Sequence, residues 1–104
     1  MERIENATVV MKANIYENGK ITSRTLFMPG GEKKTLGIML PGNYEFKTAD
    51  QENMEVLAGS MKVLLPNEAA WHVYKGGEGF IVPANSTFQL EIEEVADYCC
   101  TFEK

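Results

Sequence analysis

Few side chains in this chain can take part directly in chemistry. His72 is the only histidine, and its imidazole can deliver a proton near neutral pH, although a lone histidine beside Trp71 also fits a surface or structural role. Cys99 and Cys100 are the only cysteines. Because neighbouring side chains of a strand point to opposite faces, a disulfide between them would be strained. We therefore expect two free thiols in a reducing cytoplasm, one inward and one outward.

A glycine-rich segment raises the question of a phosphate-binding loop. Residues 30–35 read Gly-Gly-Glu-Lys-Lys-Thr. In such a loop a glycine precedes the final lysine, whereas here Lys33 holds that position, and no helix is predicted to follow. The segment therefore does not indicate a phosphate-binding loop. Because phosphate is bound by Lys, Arg or converging N–H groups, individual cations on strands are the alternative phosphate ligands.

Composition describes one small globular domain that must position these groups. The chain has 104 residues, 44% of them hydrophobic and 24% charged, which favours a single core and argues against disorder. The net charge is −5 and the lysines and acids are interspersed without a basic stripe, so a nucleic acid polymer is not an expected partner. Neither a signal peptide nor an apolar run of membrane-spanning length is visible. We expect a cytoplasmic protein without membrane contact.

Short β-type segments separated by Gly, Pro and Asn dominate the chain, and no helix of three turns is predicted. The predicted strands are residues 8–16, 20–27, 35–40, 44–48, 54–58, 61–65, 71–74, 80–83, 87–92 and 97–102. Residues 17–19, Glu-Asn-Gly, predict a hairpin turn, and a second hairpin is expected from residues 54–58 and 61–65. An acidic turn is expected at residues 49–52. Many short strands in one domain predict an all-β sandwich or closed barrel.

Two spacings resemble the cupin motifs, which belong to a double-stranded β-helix or jelly-roll barrel. Glu52 stands seven positions before Gly59, as in the first motif, and Gly77 stands six before Pro83, as in the second. The metal-binding histidines of the motifs are replaced, because Phe46, Thr48 and Phe88 hold their positions. A first-row metal needs three or four N, O or S ligands. We therefore expect a single cupin-like domain over residues 1–104 without a bound metal, comprising an N-terminal hairpin (1–28) and a barrel core (35–102).

Longer matches resemble the short cupin-type pyrimidine/purine nucleoside phosphorylases. The segments are KTLGIM (34–39), PGNYEFKTA (41–49), ENMEVLAG (52–59), VLLP (63–66), WHVY (71–74) and FIVPANSTF (80–88). The resemblance covers residues 20–102 in unbroken order. It implies phosphorolysis of purine and pyrimidine ribonucleosides to free base and ribose 1-phosphate, with inorganic phosphate as co-substrate and no other cofactor. One departure is Thr101, which precedes Phe102 where the family often has a basic residue.

The resemblance also gives the candidate residues their roles. Glu52 is the expected catalytic carboxylate, holding the ribose hydroxyls and stabilising positive charge on the sugar, and His72 is the candidate proton donor. Lys34 is the first candidate for phosphate, followed by Lys47, Lys62 and Arg24. The remaining substrate-binding candidates are Tyr44, Phe46, Thr48, Phe80, Phe88 and Tyr98. Aromatic stacking would tolerate many bases, because every base has a π-face.

Each role has an alternative in the packing of the protein. Aromatic residues alternating along strands are common in cores, exposed lysines are common on surfaces, and Glu52 could simply belong to a turn. A non-catalytic cupin module that binds a nucleotide or sugar phosphate is the second functional hypothesis, and a scaffold protein with a solidly packed barrel is the third. Because cupin barrels often dimerise by exchanging or pairing edge strands, the resemblance also implies a homodimer, with the apolar first hairpin as the expected contact.

Overall fold

The computed structural model describes residues 2–103, which form an all-β fold as the sequence predicts. Between residues 2 and 103 there is no α-helix, and Glu17–Gly19 form a single 3₁₀ turn. The strands are β1 (Thr8–Val9), β2 (Asn14–Tyr16), β3 (Ile21–Phe27), β4 (Lys33–Met39), β5 (Gly42–Lys47), β6 (Gln51–Ala58), β7 (Ser60–Leu64), β8 (His72–Lys75), β9 (Gly79–Val82), β10 (Thr87–Ile92) and β11 (Ala96–Glu103). No helical segment of this part of the chain is long and apolar enough to cross a membrane.

The strands form two antiparallel sheets. Sheet A has seven strands in the order β1-β3-β4-β11-β6-β9, with β2 also paired to β3, and sheet B has four in the order β5-β10-β7-β8. Strands that follow each other in sequence repeatedly enter different sheets, as in a jelly roll. The expected all-β jelly-roll barrel is therefore confirmed.

The first hairpin forms as predicted, but its first strand is broken. β2 pairs with β3 through the register Tyr16↔Ile21, and the turn uses positive φ angles at Asn18 (57°) and Gly19 (91°), where Asn and Gly are tolerated. β1 pairs with the other end of the same strand. Residues 10–13 lie between β1 and β2 without strand geometry, so the continuous strand expected at residues 8–16 is wrong.

The second expected hairpin, from residues 54–58 and 61–65, is also wrong. β6 pairs with β11 and β9 in sheet A, whereas β7 pairs with β10 and β8 in sheet B. The chain crosses between the sheets at Gly59, which has φ +77°, and a Cβ there would lie 2.5 Å from the Val95 carbonyl oxygen. Glycine permits both the positive φ and the close approach. The acidic turn is shorter than expected, because β6 begins at Gln51 and includes Glu52.

The core lies between the inner faces of the two sheets. Its buried members are Ile21, Met39, Tyr44, Met54, Val56, Met61, Val63, Phe80, Val82, Phe88, Leu90, Ile92, Ala96, Tyr98 and Cys100. The alternation of buried and exposed residues along the strands gives each sheet one inner and one outer face. β3 pairs with β4 from Ile21↔Met39 to Phe27↔Lys33, so the first hairpin and the barrel core share sheet A.

Candidate active site

A cavity of about 200 Å³ lies between the two sheets. Its walls come from β3, β4, β6 and β11 of sheet A and from β5 and β10 of sheet B, with Tyr16 at its edge. The lining residues are Tyr16, Ile21, Ser23, Thr35, Met39, Phe46, Lys47, Glu52, Met54, Phe88, Tyr98, Cys100 and Phe102. Lys47 is exposed, so the edge of the cavity beside Phe46 faces solvent, and Tyr16 is exposed beside Ile21. The barrel is therefore not packed solid, contrary to the packing assumed in the scaffold hypothesis.

Glu52 is the carboxylate of this cavity. It lies near the start of β6, where its cross-strand neighbours are Phe102 and Val82. The thiol of Cys100 donates a hydrogen bond to Glu52 Oε1, with an Sγ to Oε1 distance of 3.6 Å. Burial raises the pKa of Glu52, and Asp50 adds to this, while the Cys100 hydrogen bond and the charge of Lys33 oppose it. A half-buried carboxylate in a largely apolar wall is suited to bind hydroxyl groups or to stabilise positive charge.

Two neighbouring groups of β11 are held in their protonated forms. Burial is the main cause that raises the pKa of Tyr98 to about 12, although a hydrogen bond with Ser23 opposes it. Burial and the adjacent Glu52 carboxylate also raise the pKa of the Cys100 thiol. At neutral pH both groups are therefore hydrogen-bond donors and not nucleophiles, because the thiolate is the reactive form of cysteine.

Aromatic rings form the wall of the cavity on the side of sheet B. The ring centroids of Phe46 and Phe88 are 6.0 Å apart with an interplanar angle of 38°, and both residues line the cavity. Phe102 adds a ring from β11, opposite them. An aromatic surface of this kind can stack on a flat ring without reading its edge, as sequence-tolerant base binding does.

Five of the residues named from the sequence therefore meet in one cavity. They are Glu52, Phe46, Phe88, Tyr98 and, among the lower-ranked cations, Lys47. Alternation explains this, since Phe46 and Phe88 are directly paired in register and Tyr98 shares the inner face of sheet A with Glu52. Their roles in binding or catalysis stay predictions.

Lys34, the first candidate for phosphate, does not line the cavity. It follows Lys33 and precedes the cavity residue Thr35, so alternation puts it on the outer face of sheet A. Its ammonium donates to Thr101 Oγ1 at 2.8 Å and lies 3.4 Å from a carboxylate oxygen of Glu32. The residue thus pairs with Thr101, the position where the sequence departs from the family pattern.

The two lower-ranked cations Arg24 and Lys62 also lie outside. Arg24 donates to the Met11 backbone carbonyl, and the ammonium of Lys62 lies 3.3 Å from a Glu91 carboxylate oxygen. Of the four cations considered from the sequence, only Lys47 is part of the cavity wall.

The remaining sequence candidates have structural surroundings. Tyr44 is buried and donates to the Leu40 carbonyl oxygen at 2.6 Å. Thr48 is buried and donates to the Pro83 carbonyl oxygen at 2.6 Å, which connects the end of β5 to the loop after β9. Phe80 is a core residue. His72 is exposed on β8, with Nε2 3.4 Å from Glu68 Oε1, and is not among the residues that line the cavity.

Three polar cavity residues were not singled out from the sequence. Cys100 was predicted only as a free thiol, although its position two residues after Tyr98 places it on the same face. Ser23 and Thr35 come from β3 and β4, and their inward position depends on the register of these strands with β11. For these two hydroxyls the local sequence contains no distinguishing signal.

The donor set of the described chain does not fit a bound metal. Within residues 2–103, no group of three or more His, Cys, Asp or Glu side chains is arranged to hold a metal ion. Phe46 and Phe88 line the cavity where the cupin motifs would supply histidines.

Solved structures of other proteins share this fold. A Bacillus subtilis oxalate decarboxylase structure superposes on the whole chain with a TM-score of 0.75, although the chain covers 31% of that protein and the identity is 15%. The Clostridium difficile EutQ protein matches with a TM-score of 0.65 over 79% of this chain and 67% of its own, at 15% identity. At these identities the likeness concerns the fold alone. The chain is a cupin-type barrel, as expected.

Closer relatives then specify the family. The profile of the pyrimidine/purine nucleoside phosphorylases matches residues 11–102. The protein of that name from Syntrophotalea carbinolica is 55% identical over 104 residues and 100% of both chains, and the one from Wolinella succinogenes is 55% identical over 98% of this chain and 97% of its own. A solved protein of unknown function from Acinetobacter sp. ADP1 is 36% identical, with a TM-score of 0.94 and coverage of 97% and 98%. The chain belongs to the pyrimidine/purine nucleoside phosphorylase family.

Proposed function

We propose that the chain is a nucleoside phosphorylase of broad specificity, which converts purine and pyrimidine ribonucleosides and phosphate to free base and α-D-ribose 1-phosphate. Full-length identity of 55% to relatives that carry this name is the observation that supports the proposal most strongly. The cavity supports it independently, because it combines one carboxylate, two protonated donors and an aromatic wall.

The reaction breaks the bond between C1′ of ribose and the base nitrogen. A phosphate oxygen forms the new bond to C1′, the electron pair of the old bond leaves with the base, and the proton of hydrogen phosphate ends on the base. Positive charge develops on the sugar ring as the bond breaks, as it does in glycoside hydrolysis. In the proposed reaction Glu52 stabilises that charge and accepts hydrogen bonds from ribose hydroxyls, and Phe46 and Phe88 stack on the base.

The size of the cavity limits how the substrates are bound. Its volume of about 200 Å³ is below the roughly 300 to 1,000 Å³ of pockets that bury a drug-sized ligand. We infer that only part of the nucleoside is enclosed, and that the remaining part and the phosphate meet at the solvent-facing edge.

The direct test is an assay of chelator-treated protein with uridine, inosine and adenosine, with and without inorganic phosphate. Chromatography measures free base and ribose 1-phosphate. We expect both products with every nucleoside and only when phosphate is present, and the chelator leaves the rate unchanged because the proposed reaction uses no metal. Nucleoside-dependent stabilisation without product would instead support a binding module for a nucleotide or sugar phosphate.

We also propose that two copies of the chain form a homodimer through the outer face of sheet A. Ile15 and Ile38 are 66% and 40% exposed and line one shallow groove together with Leu36. Light scattering at micromolar concentration tests the mass, and Ile15→Asp should shift it from dimer to monomer. A monomeric mass of the unmodified chain overturns this proposal. The two free cysteines further suit the reducing cytoplasm in which we place the protein.

A further inference from the structure

The phosphorylase proposal requires a cation for phosphate, and the expected one, Lys34, lies on the outer face of sheet A. Its neighbour Lys33 has the opposite orientation, because Lys33, Thr35 and Met39 alternate along the same face of β4 and the last two line the cavity. Two adjacent lysines thus lie on opposite faces of one strand.

Lys33 belongs to a row of side chains that crosses the inner face at the solvent-facing end of the sheet. The register pairs Lys33 with Phe102 and Phe102 with Glu52. Strands are spaced about 4.8 Å apart, so the backbones of Lys33 and Glu52 are separated by about 10 Å, with Phe102 between them. The Lys33 ammonium lies 4.8 Å from the centroid of the Phe102 ring, which orients this flexible side chain over a residue of the cavity wall.

A lysine of the other sheet is itself part of the cavity wall, whereas Lys33 reaches only the Phe102 ring of that wall. Lys47 directly follows Phe46 at the end of β5 and is exposed. Within residues 2–103 neither Lys33 nor Lys47 forms an ion pair, whereas Lys34 and Lys62 are each paired with a glutamate. Both ammonium groups can therefore accept an anion without first losing a carboxylate partner.

We propose that Lys33 and Lys47 form the phosphate subsite, at the edge of the cavity next to Glu52 and above the Phe102 ring. The ligand is inorganic phosphate, and the proposal rests on the function proposed above. By itself the Glu52 carboxylate would repel the phosphate dianion. Ammonium groups on both sides of the dianion offset this repulsion. The nucleophilic phosphate oxygen then lies beside the ribose whose hydroxyls Glu52 is proposed to bind.

The decisive variants are Lys33→Met and Lys47→Met, which keep an apolar stem of similar length and remove the charge. Each is expected to raise the KM for phosphate about 10-fold, because losing a hydrogen bond to a charged group weakens binding by about that factor or more. The KM for uridine should change less than about 2-fold. Lys33→Arg keeps the positive charge and should have a KM for phosphate close to that of the unmodified protein. The matched control is Lys75→Met, because Lys75 is an exposed lysine of β8 outside the cavity wall.

Direct binding keeps the test independent of turnover. Inorganic phosphate is titrated with protein and followed by ³¹P line broadening, which Lys33→Met should abolish and Lys75→Met should preserve. If the unmodified protein binds phosphate but releases no base from nucleosides, the phosphorylase proposal fails while the subsite stands. If Lys33→Met and Lys47→Met leave both the KM and the broadening unchanged, or only Lys34→Met alters them, the subsite is overturned while the phosphorylase remains.

Discussion

Glu52 is the residue at which chemistry and stability oppose each other. The protein places a carboxylate beside Phe102, Val82 and the Cys100 thiol, and burial raises its pKa above the ordinary value of 4.5. The folded state therefore binds a proton more tightly than the unfolded state, so ionisation of Glu52 lowers the free energy of unfolding as pH rises through the folded-state pKa. A partly buried acid with a raised pKa beside a cavity is a candidate functional residue.

Glu52→Gln should reduce kcat/KM for nucleosides about 100-fold or more, because it removes the charge that we propose stabilises the transition state. The same variant should have a higher Tm than the unmodified protein at pH 7, and the difference should disappear below pH 4.5, where both folded and unfolded Glu52 become protonated. Activity assays and thermal unfolding at pH 7 and pH 4 measure the two effects.

The matched control is Glu55→Gln, an exposed glutamate three residues along the same strand, which should alter neither quantity appreciably. A Glu52→Gln protein that is fully active, or less stable at pH 7, would contradict this account.

Cys100 acts on Glu52 through its thiol hydrogen bond, so we regard it as a positioning residue. The pKa of Glu52 depends on its burial and on the neighbouring groups Cys100, Asp50 and Lys33. Removing the thiol in Cys100→Ala should raise the Glu52 pKa and move the acid limb of the pH profile of kcat/KM to higher pH. Cys100→Ser keeps a donor and should remain close to the unmodified profile. Identical acid limbs in all three proteins would exclude this role.

At the scale of elements, the register of sheet A brings polar groups from distant parts of the chain together. β11 lies between β4 and β6, so residues near 35, 52 and 100 become neighbours on one inner face. The close approach of β3 to β4 is part of this arrangement. A Cβ at Gly37 would overlap the Thr22 carbonyl oxygen and lie 2.8 Å from Ser23 Cα. Glycine is therefore needed where β4 passes the cavity residue Ser23.

Gly37→Ala should destabilise the protein by about 1 to 3 kcal/mol, the usual cost of forcing extra atoms into a packed region. Chemical denaturation measures the change. Gly30→Ala is the control, because a Cβ at Gly30 meets nothing within 4 Å, and it should stay within about 0.5 kcal/mol. Equal stability of the two variants would show that the strands can separate without cost.

At the scale of the whole molecule, the two sheets share one core and are expected to unfold together. Leu90 of β10 is 1% exposed and packs within the core cluster that includes Ile21 of β3. The first hairpin thus depends on the same packing as the barrel, although the sequence suggests two segments, 1–28 and 35–102.

Leu90→Ala should lower the free energy of unfolding by about 2 to 5 kcal/mol and leave a single transition. Trp71 fluorescence follows the region next to β8 in sheet B, and far-UV circular dichroism follows all strands, so their midpoints should coincide. Val73→Ala, at a position 54% exposed, is the control and should cost little. Two separate transitions would show that the hairpin folds independently.

The sequence by itself was sufficient for the all-β class, most strands, the first turn and the family. Turn residues, alternation and motif spacing are local properties, and Glu17–Gly19, the segments around Glu52 and the segment 80–88 carry them without reference to the rest of the chain. Alternation also placed Phe46, Phe88 and Tyr98 on inner faces.

Only the tertiary structure decided which strands pair and which cations reach the cavity. Residues 54–58 and 61–65 look like a hairpin, yet they enter different sheets, because pairing depends on long-range register and not on proximity in sequence. Lys33 and Lys34 are chemically equivalent neighbours, and a shift of one residue exchanges their faces. For the same reason the sequence did not predict that Ser23 and Thr35 line the cavity, or that His72 on β8 does not. The sequence specifies the type of each side chain, but the pairing of its strand determines on which face of the sheet that side chain lies.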